Sequence, residues 1–266
     1  MHKLSILIVN YNSSDFINLS LYALRKLTKN PYEVFIIDNG SKVNDYTKLK
    51  KYISNYGNTY LERVDTKLTG SMAHGTALNK LVKNVTTPFF SILDADATWL
   101  KKGWDEILIN KMTGKIKIIG TQAPPKKPQD FPLMFAILFE TETFKKLAID
   151  FRPNDLTKNQ DTGWEMREKY LLADYQAINL EFKNTRTYKD GPFKKISAAG
   201  EYYLDNDYNY IFASHFGRGS NPLAKQTLSF NNKFFRLIFL PINYLLWHIA
   251  KYRWVVICKN IINNQN

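Results

Sequence analysis

An α/β fold with a mixed, mostly parallel sheet flanked by helices is what this 266-residue chain predicts, and three observations predict it. The first hundred residues alternate short continuous apolar runs with longer stretches of helical periodicity, the pattern of βαβ units. The runs Leu4–Val9, Val34–Ile37 within the strand Glu33–Ile37, and Phe89–Leu93 are apolar apart from Ser5 and Ser91, without alternation, as strands covered on both faces should be. Each run stops at a polar cluster: Asn10-Tyr11-Asn12, Asp38-Asn39-Gly40-Ser41 and Asp94-Ala95-Asp96. Ligands of open α/β sheets bind at such strand ends.

The elements follow in order. Leu4–Val9 is a buried strand, broken by Asn10–Ser14, and Ser14 or Asp15 caps a helix with Phe16, Leu19, Leu24 and Leu27 on one stripe, ending before Asn30-Pro31. Glu33–Ile37 is the second strand. Tyr46–Tyr56 reads as a helix and Thr59–Val64 as a short strand. Gly70–Gly75 opens a helix through Leu78, Leu81 and Val82, and Pro88 precedes the strand that leads to Asp94. Beyond Trp99 the pattern changes. Trp104–Met112 reads as a helix, Ile116–Gly120 and Leu133–Phe139 as strands, 124–128 as a Pro-rich loop, and Thr162–Leu172 as a helix with Gln160-Asp161 at its start. These changes divide the chain into 1–98, 99–229 and an aromatic, basic extension at 230–266.

Net charge is +13, with pI near 9.5. Such a balance favours anionic partners: phosphorylated small molecules, an acidic membrane surface or nucleic acid. The lysines form only short pairs, which argues against a disordered nucleic-acid tail, and no specific nucleic-acid binding is expected. With Cys258 as its one cysteine the chain forms no intrachain disulfide, and the N-terminus lacks a secretory pattern. A cytoplasmic location is expected, free or peripheral on the inner face of the plasma membrane. The apolar stretch Leu237–Ala250 holds Pro241, Asn243 and His248 and falls short of the ~20 residues that a spanning helix needs. Aromatics mixed with cations suit either a helix lying on an anionic leaflet or a terminal helix packed on protein. Oligomeric state stays open between monomer and homo-oligomer.

Two carboxylates one residue apart at a strand tip are what a hard divalent cation requires, and such a cation suits a diphosphate. The competing reading of Asp94 and Asp96 is a solvated turn. Gly70–Gly75 has the outer spacing of a phosphate loop, but Thr76 and Ala77 stand where that loop needs Lys and Ser or Thr. A helix N-terminus can still approach a phosphorylated ligand closely.

The three strand-end motifs in this order resemble the family-2 glycosyltransferases, over roughly residues 4–220. The resemblance implies the GT-A (Rossmann-like) fold, here with a C-terminal helical extension. It divides the chain into a nucleotide-sugar-binding half (1–98) and an acceptor-binding and catalytic half (99–229). It implies that Asn10, Tyr11, Asn12, Asp38, Gly70, His74, Asp94 and Arg218 bind the donor. Asp38 would meet a pyrimidine or ribose, or else merely form a turn. Asp94 would hold ribose or a metal-bound water, and Asp96 and His215 would ligate Mn2+ or Mg2+. Asp161 would be the base that deprotonates the acceptor hydroxyl, or else a plain helix N-cap. The family's Arg-Asn stretch falls at His74–Asn79, which lacks the Arg, and His74 reads equally as a helix-capping residue. Arg218 is either a phosphate clamp between two glycines or part of a solvent-facing loop.

The implied activity is inverting, metal-dependent transfer of a sugar from a nucleotide-diphosphate donor, a UDP-sugar first. The acceptor would be a hydroxyl of a glycan, a lipid-linked precursor or a protein in surface polysaccharide synthesis. The alternatives are a nucleotidyltransferase and a non-catalytic glycan- or membrane-binding module on the same fold.

Overall fold

The computed structural model of the chain describes residues 3–125, 127–217, 219 and 240–265. Its elements are β1 (Leu4–Asn10), α1 (Ser14–Leu27), β2 (Tyr32–Asp38), α2 (Val43–Ile53), β3 (Thr59–Arg63), α3 (Gly70–Val82), β4 (Phe89–Asp94) and β5 (Ala97–Trp99). Then come α4 (Trp104–Lys111), β6 (Ile116–Gln122), β7 (Pro132–Glu140), α5 (Thr141–Lys146), a 3-10 turn (Leu156–Lys158), α6 (Met166–Leu172), β8 (Gln176–Asn184), β9 (Gly200–Tyr203), β10 (Ala213–His215) and α7 (Leu240–Asn263).

The strand order is β3-β2-β1-β4-β7-β6-β8-β9-β10-β5. β3, β2, β1 and β4 run parallel, β7 is antiparallel to both β4 and β6, and β8 returns parallel to β6. This is the α/β architecture the sequence predicts. β5 follows β4 after two residues yet lies at the far end of the order, so the sheet must curl back on itself. Ala95 and Asp96 span that junction, where opposite ends of the sheet meet.

Strand alternation supplies two cores. Leu4, Ile6 and Ile8 face one core, with Phe16 of α1, Trp104 of α4 and Trp254 of α7. Leu7 and Val9 face the other, with Leu78 of α3, Phe144 of α5 and Met166 of α6. A strand buried on both faces admits few polar side chains, which is why β1 and β4 read as apolar runs interrupted only by Ser5 and Ser91, whose hydroxyls pair with Thr87 and Trp99.

Three expectations shift. α6 begins at Met166 rather than Thr162, because Gly163 takes a positive φ of 73° and breaks the helical path. Asp161 therefore is not a helix N-cap. α2 begins at Val43, three residues early. The extension's helix α7 packs on the body through Trp247, Trp254, Cys258 and Ile262. Trp254 Nε1 donates to Ser214 Oγ at 2.9 Å, and Lys251 Nζ bonds Asp15 Oδ2 at 2.6 Å. Although burial opposes the charge of Asp15, hydrogen bonds from Lys251 and Lys48 hold its pKa down at about 2. Among the described residues no helix is long and apolar enough to cross a membrane.

Candidate active site

The parallel strands β1, β2 and β4 end level with one another: Asn10 pairs with Asp38, and Val9 with Asp94. Their C-terminal edge is the floor of a cavity of about 560 Å³. The first two motifs build that floor from below. Asn10 and Asp38 are both fully buried. Asn10 Nδ2 donates to Asp38 Oδ1 at 2.7 Å, and Asp38 Oδ2 accepts from the Ser41 N–H at 3.2 Å. An Arg63 guanidinium nitrogen lies 3.8 Å from the same oxygen. Asn12 donates its N–H to Ser41 Oγ and accepts from the Lys42 N–H, with φ at 52°.

Asn10, Asn12 and Asp38 thus do not line the cavity; they brace the two loops that do. Tyr11, half exposed, lines it together with Asn39 and Gly40. Sequence reasoning singled out Tyr11 but missed Asn39, Gly40 and the Thr66–Thr69 loop with exposed Lys67. For Asn39 and Gly40 the signal was present, since both follow Asp38 in the second motif.

The opposite wall is the N-terminal turn of α3. Gly70, at φ 55°, opens the helix into the cavity. His74 lies one turn further, past the N-cap residue Thr69, so it does not cap. Its Nδ1 is 3.4 Å from Thr162 Oγ1 and its Nε2 is 3.9 Å from Asp94 Oδ1. Desolvation lowers its pKa to about 4 against the pull of Asp161, so the imidazole is neutral near pH 7.

Asp161 reaches the same cavity from the loop before α6, with its side chain 59% exposed. Its Oδ1 accepts from Ser71 Oγ at 2.5 Å and from the Thr162 N–H at 2.8 Å. Lys127 Nζ stands 3.6 Å from Oδ2. Partial burial pushes its pKa up, but these donors together with Lys127 and His74 outweigh it, and the carboxylate sits below its ordinary range.

At the curl of the sheet Asp94, Asp96 and His215 converge, with ligand atoms within 4.8 Å of one another. Asp94 ends β4, Asp96 occupies the turn, and His215 ends β10 opposite Ala97 of β5. His215 Nε2 is 3.2 Å from Asp96 Oδ1 and 3.9 Å from Asp94 Oδ2. The His215 ring stacks on Phe135 at 4.1 Å between centroids. Asp96 is held by backbone on both sides: its carbonyl accepts from the Phe216 N–H at 2.9 Å, and its Oδ2 from the Gly219 N–H at 2.7 Å. A Cβ on Gly219 would lie 2.6 Å from Asp96 Cβ, so only glycine fits there. Arg218 lies outside the described residues.

Could these three side chains hold a divalent cation? Asp94 Oδ1 is buried and has no hydrogen-bond partner. Burial, then the charges of Asp96 and Asp161, push the Asp94 carboxyl well above its ordinary range. An orphaned carboxylate oxygen beside a second carboxylate and an imidazole nitrogen is the donor set that Mn2+ or Mg2+ takes. The residues fit a metal, and the solvated-turn reading does not describe them. Both aspartates belong to the cluster, and Asp94 also faces the first cavity. A second cavity of about 430 Å³, walled by Phe135, Phe182 and Tyr202, meets the first at Asp94 and Asp96.

Comparison with known proteins agrees with this fold. The structure of the mannosyltransferase PcManGT from Pyrobaculum calidifontis, in complex with GDP-Man and Mn2+, is similar with a TM-score of 0.55. It is 15% identical, over 67% of this chain and 54% of that one. S. aureus TarS is similar with a TM-score of 0.50 at 18% identity, over 66% of this chain and 35% of that one. A curated relative, the teichoic acid poly(glycerol phosphate) polymerase of Staphylococcus epidermidis, is 27% identical over 96 residues. That match is 36% of this chain but only 13% of the relative's length. The family model for glycosyl transferase family 2 matches residues 5–174. With the fold, the strand-end motifs and this match in agreement, the chain belongs to glycosyl transferase family 2.

Proposed function

We propose that this glycosyltransferase moves a sugar from a nucleotide-diphosphate donor to a hydroxyl of a surface glycan, its lipid-linked precursor or a protein, with inversion. The carrying observation is the Asp94–Asp96–His215 cluster at the wall shared by two cavities, with Asp161 in the first. The first cavity would take the donor. Tyr11 offers a ring face to the nucleoside, while the N-terminal N–H groups of α3 and the Lys67 ammonium suit the diphosphate. A Mn2+ or Mg2+ ion on Asp94, Asp96 and His215 would neutralise the diphosphate leaving group.

Asp161 takes the proton of the acceptor hydroxyl as that oxygen bonds to the anomeric carbon. The bond from that carbon to the diphosphate oxygen breaks on the opposite side, and its electron pair leaves with the diphosphate. A single displacement inverts the centre. The lowered pKa keeps Asp161 ionised at neutral pH, and the Ser71 and Thr162 bonds aim it. Support for a surface-glycan role comes from the teichoic acid relative, and for a nucleotide-sugar donor from the mannosyltransferase held with GDP-Man. UDP- and GDP-sugars are therefore the first donors to test.

The experiment is a thermal-shift panel of nucleotide sugars with Mn2+, followed by donor hydrolysis and transfer to glycan acceptors. Asp96→Asn should abolish metal-dependent donor binding. Asp161→Asn should bind donor as before and lose about 10²–10⁴ in transfer rate. Normal transfer by Asp161→Asn would remove it as the base, and no metal-dependent affinity for any nucleotide diphosphate would remove the whole reading.

A further inference from the structure

Helix α7 is apolar on two opposite faces, and among the described residues only one of them is covered. The buried residues Asn243, Trp247, Trp254, Cys258 and Ile262 lie on the face that meets α1 and β10. On the other face Ile242, Leu245, Ile249 and Tyr252 recur at helical spacing and are 43%, 59%, 39% and 71% exposed. A helix apolar all round is normally interior or in contact with lipid. This one is anchored on the body by Trp254 and Lys251, so its outer stripe stands at the surface of the folded protein.

The charge around that stripe says what covers it. No Asp or Glu follows Asp207 in the sequence, whereas seven Lys and Arg do. Of these, Arg253 and Lys259 are exposed on α7, beside the stripe together with exposed His248. At 100° per residue, Arg253 falls to one side of the Leu245–Ile249 line and His248 and Lys259 to the other. An apolar strip flanked by cations, with no acidic residue in the segment, complements an anionic lipid surface. Aliphatic side chains would enter the acyl boundary while the cations meet headgroup phosphates. Tyr244 and Tyr252 are the amphipathic rings that suit the headgroup level.

We infer that the outer face of α7 docks the enzyme on an anionic lipid bilayer, with the helix lying along the surface rather than crossing it. Docking holds the sheet edge near the membrane through a short chain of contacts. Trp254 bonds Ser214, the neighbour of His215, and Phe216 packs on Trp247 and Trp254. The helix that meets lipid thus abuts the strand that carries the candidate metal ligand.

The test is co-sedimentation of the full chain with phosphatidylcholine vesicles, with and without phosphatidylglycerol. The wild type should bind the anionic vesicles, less so at high salt, and barely bind the neutral ones. Leu245→Glu with Ile249→Glu should cut the bound fraction about tenfold or more, because two partly exposed aliphatics can no longer enter the bilayer. Both positions are exposed, and an unchanged melting temperature checks that the variant folds. Absence of binding to anionic vesicles, equal binding to both vesicle types, or undiminished binding of the double variant would overturn the inference. So would a wild-type dimer in solution that the double variant converts to monomer, since the stripe would then cover a second copy. The nucleotide-dependent thermal shift is read in parallel. Its survival alongside failed vesicle binding discards the docking face alone, and its loss discards the proposed chemistry alone.

Discussion

Asp94→Asn should make the metal-free protein more stable and at the same time blind to metal. The carboxylate of Asp94 carries a buried oxygen without a hydrogen-bond partner and stands beside Asp96. A buried polar atom left unsatisfied costs about 1–3 kcal/mol, and more if charged. The isosteric amide removes the charge and its repulsion with Asp96 while keeping the shape. The expected gain is about 1–3 kcal/mol at neutral pH. For a chain of this size that is roughly 2–10 °C in melting temperature.

The sign follows from linkage. The folded Asp94 carboxyl has a pKa raised well above 3.8, by burial first and then by Asp96 and Asp161. Its contribution to stability is complete below about pH 4 and declines as pH rises toward the folded pKa. The gap between variant and wild type should therefore widen from pH ~4 to pH ~7. Scanning fluorimetry in chelator and in Mn2+ reads both halves: Mn2+ should raise the wild-type melting temperature and leave the variant's unchanged. A variant less stable than wild type in chelator at neutral pH, or one that keeps the Mn2+ shift, would overturn this assignment of Asp94.

Two further outcomes follow from the same site. Gly219→Ala should weaken Mn2+ affinity about 10- to 100-fold with the fold retained, because a Cβ 2.6 Å from that of Asp96 must displace the carboxylate; calorimetric titration of Mn2+ measures it, and unaltered affinity would show that Asp96 is free to move. His74→Gln should flatten the acid side of the stability profile. The folded imidazole, with its pKa near 4, refuses the proton that the unfolded chain takes up near 6.5, so wild type loses up to ~1.4 kcal/mol per pH unit as pH falls between those values. Urea titrations across that window should show a shallower slope in the variant, and an equal slope would place His74 in a wetter setting than its contacts indicate.

The N-terminal half of the fold was legible because burial on both faces leaves a plain mark. β1, β2 and β4 admit few polar residues until the chain leaves the sheet, and there the motifs stand. β8, β9 and β10 were not legible. β8 mixes Gln176, Asn179, Glu181 and Lys183 with its apolar residues. β9 contains Glu201, a charged residue that reads as surface but is fully buried, accepting from the Phe193 N–H and the Tyr203 hydroxyl. β10 is three residues long, too short to carry a period. Their pairing partners are distant in sequence, and no local pattern encodes that.

The site divides in the same way. Asp94, Asp96, Asp161, His74 and His215 were each singled out by the motifs that carry them, although Asp94 and Asp96 also read as a solvated turn and Asp161 and His74 as capping residues. Asn10 and Asp38 read as ligand contacts in sequence, and the structure sets both beneath the loops that line the cavity, since one short motif both ends a strand and turns a loop. The α/β class, the strand-end motifs and the family are all written in the linear chain. Folding in three dimensions brings Asp96 and His215, 119 residues apart, to 3.2 Å from each other. It also leaves one apolar face of α7 uncovered among the described residues. The first depends on the curl that brings β10 alongside β5, next to the end of β4, and curvature arises from the packing of the whole sheet, which no stretch of local sequence records.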